Sequence, residues 1–198
     1  MRGSDRMNTP SPLDSNLRRP HPLAVSLIER LRTQPGAAVI DFGAGSGRNT
    51  SALVAAGFNV CGVADSETAA FTAAHEYDAA VSTHALLHGT NSTVVSMLQS
   101  LANGLRPHAP FFATFASKHD SRYGRGTRIE NNVFAPGSGD EAGVAHVYFD
   151  EAGLRAVLEP HFVIEALEER NVDAIAGRWA HEQRPEGSVH WFVYARRV

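Results

Sequence analysis

One stretch constrains the fold more than any other part of this chain: an acidic residue after a short apolar run, then three glycines at alternate positions. It reads Asp41-Phe42-Gly43-Ala44-Gly45-Ser46-Gly47. The apolar run at 37–41 predicts a buried strand, and residues 49–56 predict an amphipathic helix. Glycine is needed where the backbone takes a positive φ or approaches a ligand closely. The connection between strand and helix is therefore typical of a binding site.

Composition narrows the kind of protein. The chain has 198 residues, a formal net charge of −3 and one cysteine. This length predicts a single domain at 20–198, preceded by a polar, disordered arm at 1–19. The slightly acidic charge gives no reason to expect a nucleic-acid partner. Without an apolar run of the roughly 20 residues that cross a bilayer, or the apolar centre of a signal peptide, we expect no membrane partner and a cytoplasmic location.

Apolar runs alternate with amphipathic stretches along most of the chain. Further strands are predicted at 58–63, 77–82, 110–115, 162–167 and 189–195, and helices at 22–31, 91–105 and 150–158, with Asn91 and Asp150 as N-caps. This alternation indicates an α/β fold of three layers with a mainly parallel sheet. The long segment 118–147 contains Gly, Asp and Asn, and we expect it to form a lid or substrate-binding loop.

Two common glycine-rich sites fit the turn poorly. A phosphate loop needs Lys followed by Ser or Thr after its last glycine, and this chain has Arg48-Asn49 there. A dinucleotide site favours G-x-G-x-x-G, whereas this turn reads G-x-G-x-G, and Asp41 would place negative charge near the pyrophosphate. An acid at this position suits a ligand with an ammonium group or hydroxyls instead.

With its D-x-G-x-G-x-G pattern, the chain resembles the class I S-adenosylmethionine-dependent methyltransferases. Gly47-Arg48-Asn49 is similar to the tellurite-resistance and small-molecule methyltransferases of that superfamily, and Tyr77 to His88 resembles their fourth-strand segment. The resemblance implies a Rossmann-like fold, S-adenosyl-L-methionine as cofactor, and methylation of a small-molecule acceptor. It also implies a set of cofactor-binding residues: Asp41, Phe42, Gly43, Ala44, Gly45, Gly47, Asn49, Asp65, Ser82 and Thr83.

The match has a gap after the second strand. The family has a ribose-binding acid there, then a helix, a third strand and an acid-containing turn beside the adenine. This chain offers Asp65, and only about a dozen residues precede Tyr77. The usual third, edge strand is therefore expected to be absent. Asp65 is interpreted as a ribose ligand, with the N-cap of a short helix at 66–75 as the alternative.

Three histidines are candidates for catalysis or for contact with the acceptor. His84 and His88 follow the predicted strand at 77–82, and on a helix their spacing would place both on one face. That spacing also fits a metal pair, but the sequence identifies no third ligand, and we predict that no metal is bound. His146 lies at the end of the expected lid. For each histidine the alternative is a structural role that satisfies nearby backbone groups.

Charged residues in the expected lid suggest two further interactions. Arg122, Arg125 and Arg128 lie near two glycines and either clamp an anionic substrate or project into solvent. Asp140 and Glu141 are expected to cap or solvate the loop, and together with a nearby histidine they are a weak metal signal.

Two other functions stay open on the sequence alone. A protein that binds S-adenosylmethionine without catalysis is suggested by the missing third strand. A nicotinamide-dependent oxidoreductase is the other alternative for the glycine-rich turn.

Overall fold

The computed structural model describes residues 19–72, 76–173 and 186–198. All of the expected arm except Arg19 lies outside these residues. Within them the helices are α1 (Pro22–Arg30), α2 (Arg48–Ala55), α3 (Asn91–Gly104) and α4 (Glu151–Leu158), with a 3-10 helix at Asp65–Ala70. The strands are β1 (Ala38–Phe42), β2 (Asn59–Val63), β3 (Ala79–Ser82), β4 (Pro110–Ser117), β5 (Thr127–Glu130), β6 (Val133–Ala135), β7 (His146–Phe149), β8 (Phe162–Asn171) and β9 (Val189–Arg197).

Four parallel strands form the centre of the sheet. Their order is β2-β1-β3-β4, so the chain crosses from the edge strand β2 over β1 to β3. On its other side, β4 pairs antiparallel with β9, which in turn pairs with β8. The expected α/β fold with a mainly parallel central sheet is confirmed. In the described part of the chain no strand lies beyond β2, as expected from the short connection after Asp65.

Helices cover both faces of this sheet. On β1, Val39 packs into one hydrophobic cluster with Leu23 and Leu27 of α1. Its neighbour Ile40 points to the opposite face and packs with Leu98 of α3. Because successive strand residues alternate between clusters, the strand is apolar on both sides, as buried parallel strands are. The glycine-rich connection is thus fixed at the carboxyl end of a rigid central strand.

The expected lid contains regular structure that the sequence analysis did not assign. Strands β5, β6 and β7 form an antiparallel ribbon, and β7 also pairs in parallel with the last two residues of β4, Ala116 and Ser117. Residues of β6 and β7 are buried, whereas Thr127 to Ile129 of β5 are exposed. The segment is therefore anchored to the main sheet at its carboxyl-terminal end. Its role as a lid stays a prediction.

The start of α3 differs by one residue from the prediction. The N-cap is Thr90, whose hydroxyl accepts a hydrogen bond from the Thr93 amide, and Asn91 is the first helical residue. The side chain of Asn91 instead donates to Glu130 and to Asn132, at 2.8 Å from the latter. Asn91 thus fastens α3 to the ribbon, which leaves the capping to Thr90. The other predicted cap, Asp150 at the start of α4, is confirmed.

Candidate functional site

A cavity of about 280 Å³ opens at the carboxyl ends of the parallel strands. This is the usual position of ligand sites in open α/β sheets. Its wall combines the glycine turn, the loop after β3, and side chains from the ribbon and β9. The lining residues are Gly43, Ala44, Gly45, Ser46, Arg48, Asn49, Asp65, Thr83, His84, Leu87, His88, Arg122, Glu141, His146 and His190.

The glycine turn, residues 43–47, is held close to β2. The amides of Gly43 and Ala44 both donate to the carbonyl of Val63, at 3.0 and 2.8 Å. Gly43, Gly45 and Gly47 all have positive φ, at 76°, 50° and 77°. Only glycine takes such angles without strain, so the alternate glycines are required by the backbone of the turn itself.

Asp65 places its carboxylate over this turn. A β-carbon at Gly43 would lie 2.9 Å from Asp65 Oδ1, and one at Gly45 would lie 3.7 Å from Asp65 Oδ2. The N-cap of the 3-10 helix is Ala64, and no side-chain hydrogen bond caps that helix. A capping role therefore does not explain why an acid stands at position 65. The side chain of Asp65 is exposed and lines the cavity instead. The glycines leave a narrow space between backbone and carboxylate that a larger residue would fill.

Asn49 ties three elements together behind the cavity wall. Its Oδ1 accepts from the His21 amide at 2.9 Å, and its Nδ2 donates to Thr83 Oγ1 at 3.0 Å. The His21 side chain caps α1 by accepting from the Leu23 amide. Asn49 therefore connects α1, α2 and the loop after β3, and it lines the cavity as predicted for a cofactor-side residue.

Four predicted cofactor residues do not line the cavity: Asp41, Phe42, Gly47 and Ser82. Asp41 is fully buried, and its Oδ2 accepts a hydrogen bond of 2.6 Å from the Thr50 hydroxyl. Burial raises the pKa of Asp41, and the Thr50 hydroxyl acts against that shift. Phe42 packs edge-on against Phe71. Direct contact of these four residues with a cofactor stays a prediction.

His84 and His88 do not lie on a helix, so their spacing does not place them on one helical face. Residues 83–87 form bends and turns, His88 lies in an isolated bridge, and His84 has a φ of 67°. Its amide donates to Thr114 Oγ1 at 2.9 Å, which holds this unusual conformation against β4. The ring lies in the cavity wall, with the rings of His190 and His21 at centroid distances of 5.0 and 5.7 Å. Strained residues of this kind concentrate at functional sites.

His21 and His190 are buried beside His84, and both are held neutral. Burial lowers the pKa of His21 to about 2, helped by the charge of Arg48 and by His190. Burial also lowers the pKa of His190 to about 4, although the nearby Asp120 carboxylate opposes the shift. The two imidazoles that pack against His84 are therefore uncharged at neutral pH.

These two depressed pKa values predict loss of stability in weak acid. Between about pH 6.5 and 4 the unfolded chain takes up protons at His21 and His190 that the folded chain rejects. The free energy of unfolding should fall by about 1.4 kcal/mol per pH unit for each histidine in that range, and neither should contribute above pH 6.5. Urea unfolding at a series of pH values measures this slope.

A pair of histidine variants separates these sites from the general effect of acid. His190→Asn should reduce the slope, whereas His108→Asn, at an exposed position, should leave it unchanged. Asn tolerates the positive φ of 66° at position 108, so the control adds little strain. Equal slopes in both variants and the parent protein would contradict the assignment to His190.

In the wall of the cavity, Glu141 also joins the other two predicted histidines. Glu141 Oε1 lies 3.2 Å from His88 Nε2, and Oε2 lies 3.0 Å from His146 Nε2. The rings of His88 and His146 meet edge-on at a centroid distance of 4.9 Å. We call these three residues the His88–Glu141–His146 cluster.

Arg122 is the lid arginine that faces the cavity. Its Nη1 lies 3.6 Å from Glu141 Oε2, and its Nε donates to the buried Asp120 at 3.1 Å. Arg125 and Arg128 are exposed, and neither lines the cavity. The clamp of three arginines considered from the sequence is therefore reduced to one.

The sequence analysis gave no role to three wall residues, Ser46, Leu87 and His190, whereas it considered Arg122 as part of an arginine clamp and Glu141 as a weak metal signal. His190 had a usable signal, because it lies at the start of the last, antiparallel strand, and an antiparallel strand starts where its parallel neighbours end. Glu141 had a weaker signal in its position five residues before His146. No local pattern distinguished Leu87.

The sequence matches no protein-family profile and no curated protein. Many solved structures share its fold. An S-adenosylmethionine-dependent methyltransferase from Methanosarcina mazei superposes with a TM-score of 0.66 at 15% identity, covering 86% of this chain and 97% of its own. The 1,6-didemethyltoxoflavin-N1-methyltransferase of Burkholderia thailandensis, with bound 1,6-didemethyltoxoflavin and S-adenosylhomocysteine, gives a TM-score of 0.63 at 18% identity, covering 92% and 78%.

TehB from Haemophilus influenzae is a more distant match. Its TM-score is 0.57 at 16% identity, covering 88% of this chain and 62% of TehB. At these identities the comparisons show a shared fold. That fold is the Rossmann-like fold of S-adenosylmethionine-dependent methyltransferases, as the glycine turn predicted.

No helix in the described residues is long and apolar enough to cross a membrane.

Proposed function

We propose that this chain, which has the fold of S-adenosylmethionine-dependent methyltransferases, transfers a methyl group from S-adenosylmethionine to a small-molecule acceptor. The observation that carries the proposal is the Asp65 carboxylate, which stands over the glycine turn at the mouth of the cavity. Asp65 does not cap the 3-10 helix, so its position needs another explanation. Below it, the backbone of the glycine turn lines the cavity and is open to a ligand.

The described residues fit the proposed cofactor at two points. A carboxylate accepts hydrogen bonds from a pair of sugar hydroxyls, and Asp65 presents one with both oxygens directed over the turn. Gly43 and Gly45 line the cavity, and a β-carbon there would lie 2.9 and 3.7 Å from the Asp65 oxygens, so glycine leaves the space below the carboxylate to a ligand.

S-adenosylmethionine supplies an activated methyl on a sulfonium sulfur. The protein's own contribution is then to align acceptor and donor and to exclude water. His84, His88 and His146 line the cavity together with the glycine turn, and their proposed role is to orient the acceptor. His84 is braced by Thr114 and by the rings of His21 and His190, so it offers a fixed polar surface.

A small acceptor is supported by the size and charge of the site. The cavity of about 280 Å³ lies just below the usual range of small-molecule pockets, about 300–1,000 Å³, so its size suits only small ligands. The net charge of −3 offers no basic surface for a nucleic acid. The similar Burkholderia protein holds bound 1,6-didemethyltoxoflavin together with S-adenosylhomocysteine. A cytoplasmic location and the absence of nucleic-acid partners stay predictions.

Calorimetric titration with S-adenosylhomocysteine tests the cofactor assignment. We expect one binding site per chain, and NADH under the same conditions should give no heat of binding. Binding of NADH without binding of S-adenosylhomocysteine would instead indicate an oxidoreductase. Incubation with S-adenosylmethionine and panels of small thiols, phenols, amines and metalloid anions then tests transfer, with the methylated product detected by mass spectrometry. Binding without transfer to any acceptor class would favour a non-catalytic cofactor-binding protein.

A further inference from the structure

We propose that the His88–Glu141–His146 cluster binds one divalent transition-metal ion, and that zinc is the ion its ligands suit best. The three side chains offer two imidazole nitrogens and one carboxylate oxygen that all lie within 4.8 Å of one another. Two histidines and one carboxylate form the ligand set of many catalytic zinc sites, and they leave a coordination position open.

Hydrogen-bond donors and acceptors in the cluster point to a cation. His146 Nδ1 lies 2.8 Å from the Val144 carbonyl oxygen, which can only accept, so the ring proton is on Nδ1. In the neutral ring the lone pair is then on Nε2, and that nitrogen faces Glu141 Oε2 at 3.0 Å. Two acceptors meet there unless a proton or a metal ion lies between them. The backbone bond to Nδ1 is also the outer contact that usually orients a metal-binding histidine.

The distances suit a single ion after a small adjustment. Glu141 is 3.2 Å from His88 Nε2 and 3.0 Å from His146 Nε2 through its two oxygens. Two ligands that each lie about 2.1 Å from a tetrahedral zinc are roughly 3.4 Å apart. Both histidine–carboxylate distances are therefore within a few tenths of an ångström of this separation. The ligand atoms of the two histidines lie within 4.8 Å of each other, so they need to approach by at most about 1.4 Å.

Backbone pairing fixes the two histidines relative to each other. The Val147 amide donates to the Leu87 carbonyl, and the Gly89 amide donates to the Ala145 carbonyl, both at 2.8 Å. These bonds place His88 and His146 opposite each other in an antiparallel bridge. Glu141 is held by a turn in which the Val144 amide donates to its carbonyl at 2.9 Å. The ligands are thus preorganised by the main chain.

Arg122 contacts two carboxylates, those of Asp120 and Glu141. Its guanidinium lies 3.6 Å from Glu141, but its Nε and Nη2 both approach Asp120, at 3.1 and 3.4 Å. Asp120 is itself buried and also accepts from the Val189 amide at 3.0 Å. Of the two carboxylates that Arg122 contacts, Asp120 is therefore the closer and Glu141 the more distant.

The ion also defines a class of acceptor, and this step rests on the proposed function. All three ligands line the cavity, so an acceptor thiol or hydroxyl can occupy the open position. Coordination lowers the pKa of such a group, and its proton passes to solvent. The acceptor's sulfur or oxygen then forms the bond to the methyl carbon. The bond from that carbon to the sulfonium breaks, and its electron pair stays on the departing thioether sulfur.

Calorimetry with zinc alone, on protein first treated with a chelator and dialysed, tests the site. We expect one high-affinity ion per chain, and Co²⁺ alone should give the visible spectrum of an ion with nitrogen and oxygen ligands. Glu141→Gln and His146→Asn should weaken zinc binding roughly 100-fold or more, since even changes to outer contacts cost about 10- to 100-fold. Failure of the unmodified protein to bind either ion overturns the proposal, whatever the variants do.

His119→Asn is the matched control. His119 Nδ1 lies 2.8 Å from Glu169, so it is also a histidine paired with a carboxylate, but it is exposed and outside the cavity. Its replacement should leave zinc affinity unchanged, and equal losses in all three variants would overturn the assignment to the cluster. A parallel titration with S-adenosylhomocysteine keeps the two proposals apart: zinc binding without cofactor binding rejects the proposed function and retains the metal site.

Discussion

Replacing Asp65 with alanine is expected to weaken S-adenosylhomocysteine binding by roughly 10- to 100-fold. A hydrogen bond to a charged group contributes about 1.5–3 kcal/mol, and the carboxylate stands alone over the glycine turn in the described structure. The variant should fold normally, because Asp65 does not cap the 3-10 helix and its side chain is exposed. Isothermal titration calorimetry measures the change directly.

Glu67→Ala provides the comparison for Asp65. Glu67 lies on the same 3-10 helix and is exposed, but it does not line the cavity. Its removal changes the net charge equally and should leave the affinity within about twofold, because exposed charges away from a ligand are screened. If both variants lose affinity to the same extent, the loss reflects local charge, and the ribose lies elsewhere.

Gly43→Ala is expected to reduce the free energy of unfolding by about 2–5 kcal/mol. Its new β-carbon would stand 2.1 Å from Ala85 Cβ, a distance at which the two segments must move apart. Such overpacking costs about 1–3 kcal/mol. The positive φ of 76° adds about 1–2 kcal/mol for any residue with a β-carbon. Urea unfolding followed by circular dichroism gives the difference.

Gly47→Ala isolates the backbone contribution to that loss. Gly47 has nearly the same φ, 77°, but a β-carbon there would meet nothing within 4 Å. Only the conformational cost of about 1–2 kcal/mol should appear. Losses of the same size at both positions would show that Ala85 can give way, and that packing does not fix Gly43.

The elements of the fold could be predicted because their signals are local. The apolar run before Asp41, the alternate glycines and the short path after Asp65 each occupy a few consecutive residues. These signals correctly indicated the parallel sheet and its truncated edge. The cap of α3 was missed by one residue because Thr90 and Asn91 are both capping residues, and a distant contact with Glu130 occupies Asn91.

The far wall of the cavity could not be predicted in the same way. Glu141 meets His88 only because β7 returns to the end of β4 and pairs with the loop after β3. His190 reaches His84 through the antiparallel pairing of β9 with β4. These contacts depend on long-range topology, so single-residue patterns in the sequence could name the histidines but not their partners.

At the truncated edge of the sheet, the connection between β2 and β3 can change in length at little cost in free energy. Between Val63 and Ala79 the chain needs only to cross from β2 to β3, and the one element described there is a 3-10 helix. The entropy of closing such a connection grows by only about 0.6 kcal/mol for each doubling of its length. A helix and strand can therefore be added or removed here while every hydrogen bond between β1, β3 and β4 is kept. On the other side of the parallel strands the connections are more constrained, because β9 is hydrogen-bonded along almost all of β4 and also pairs with β8.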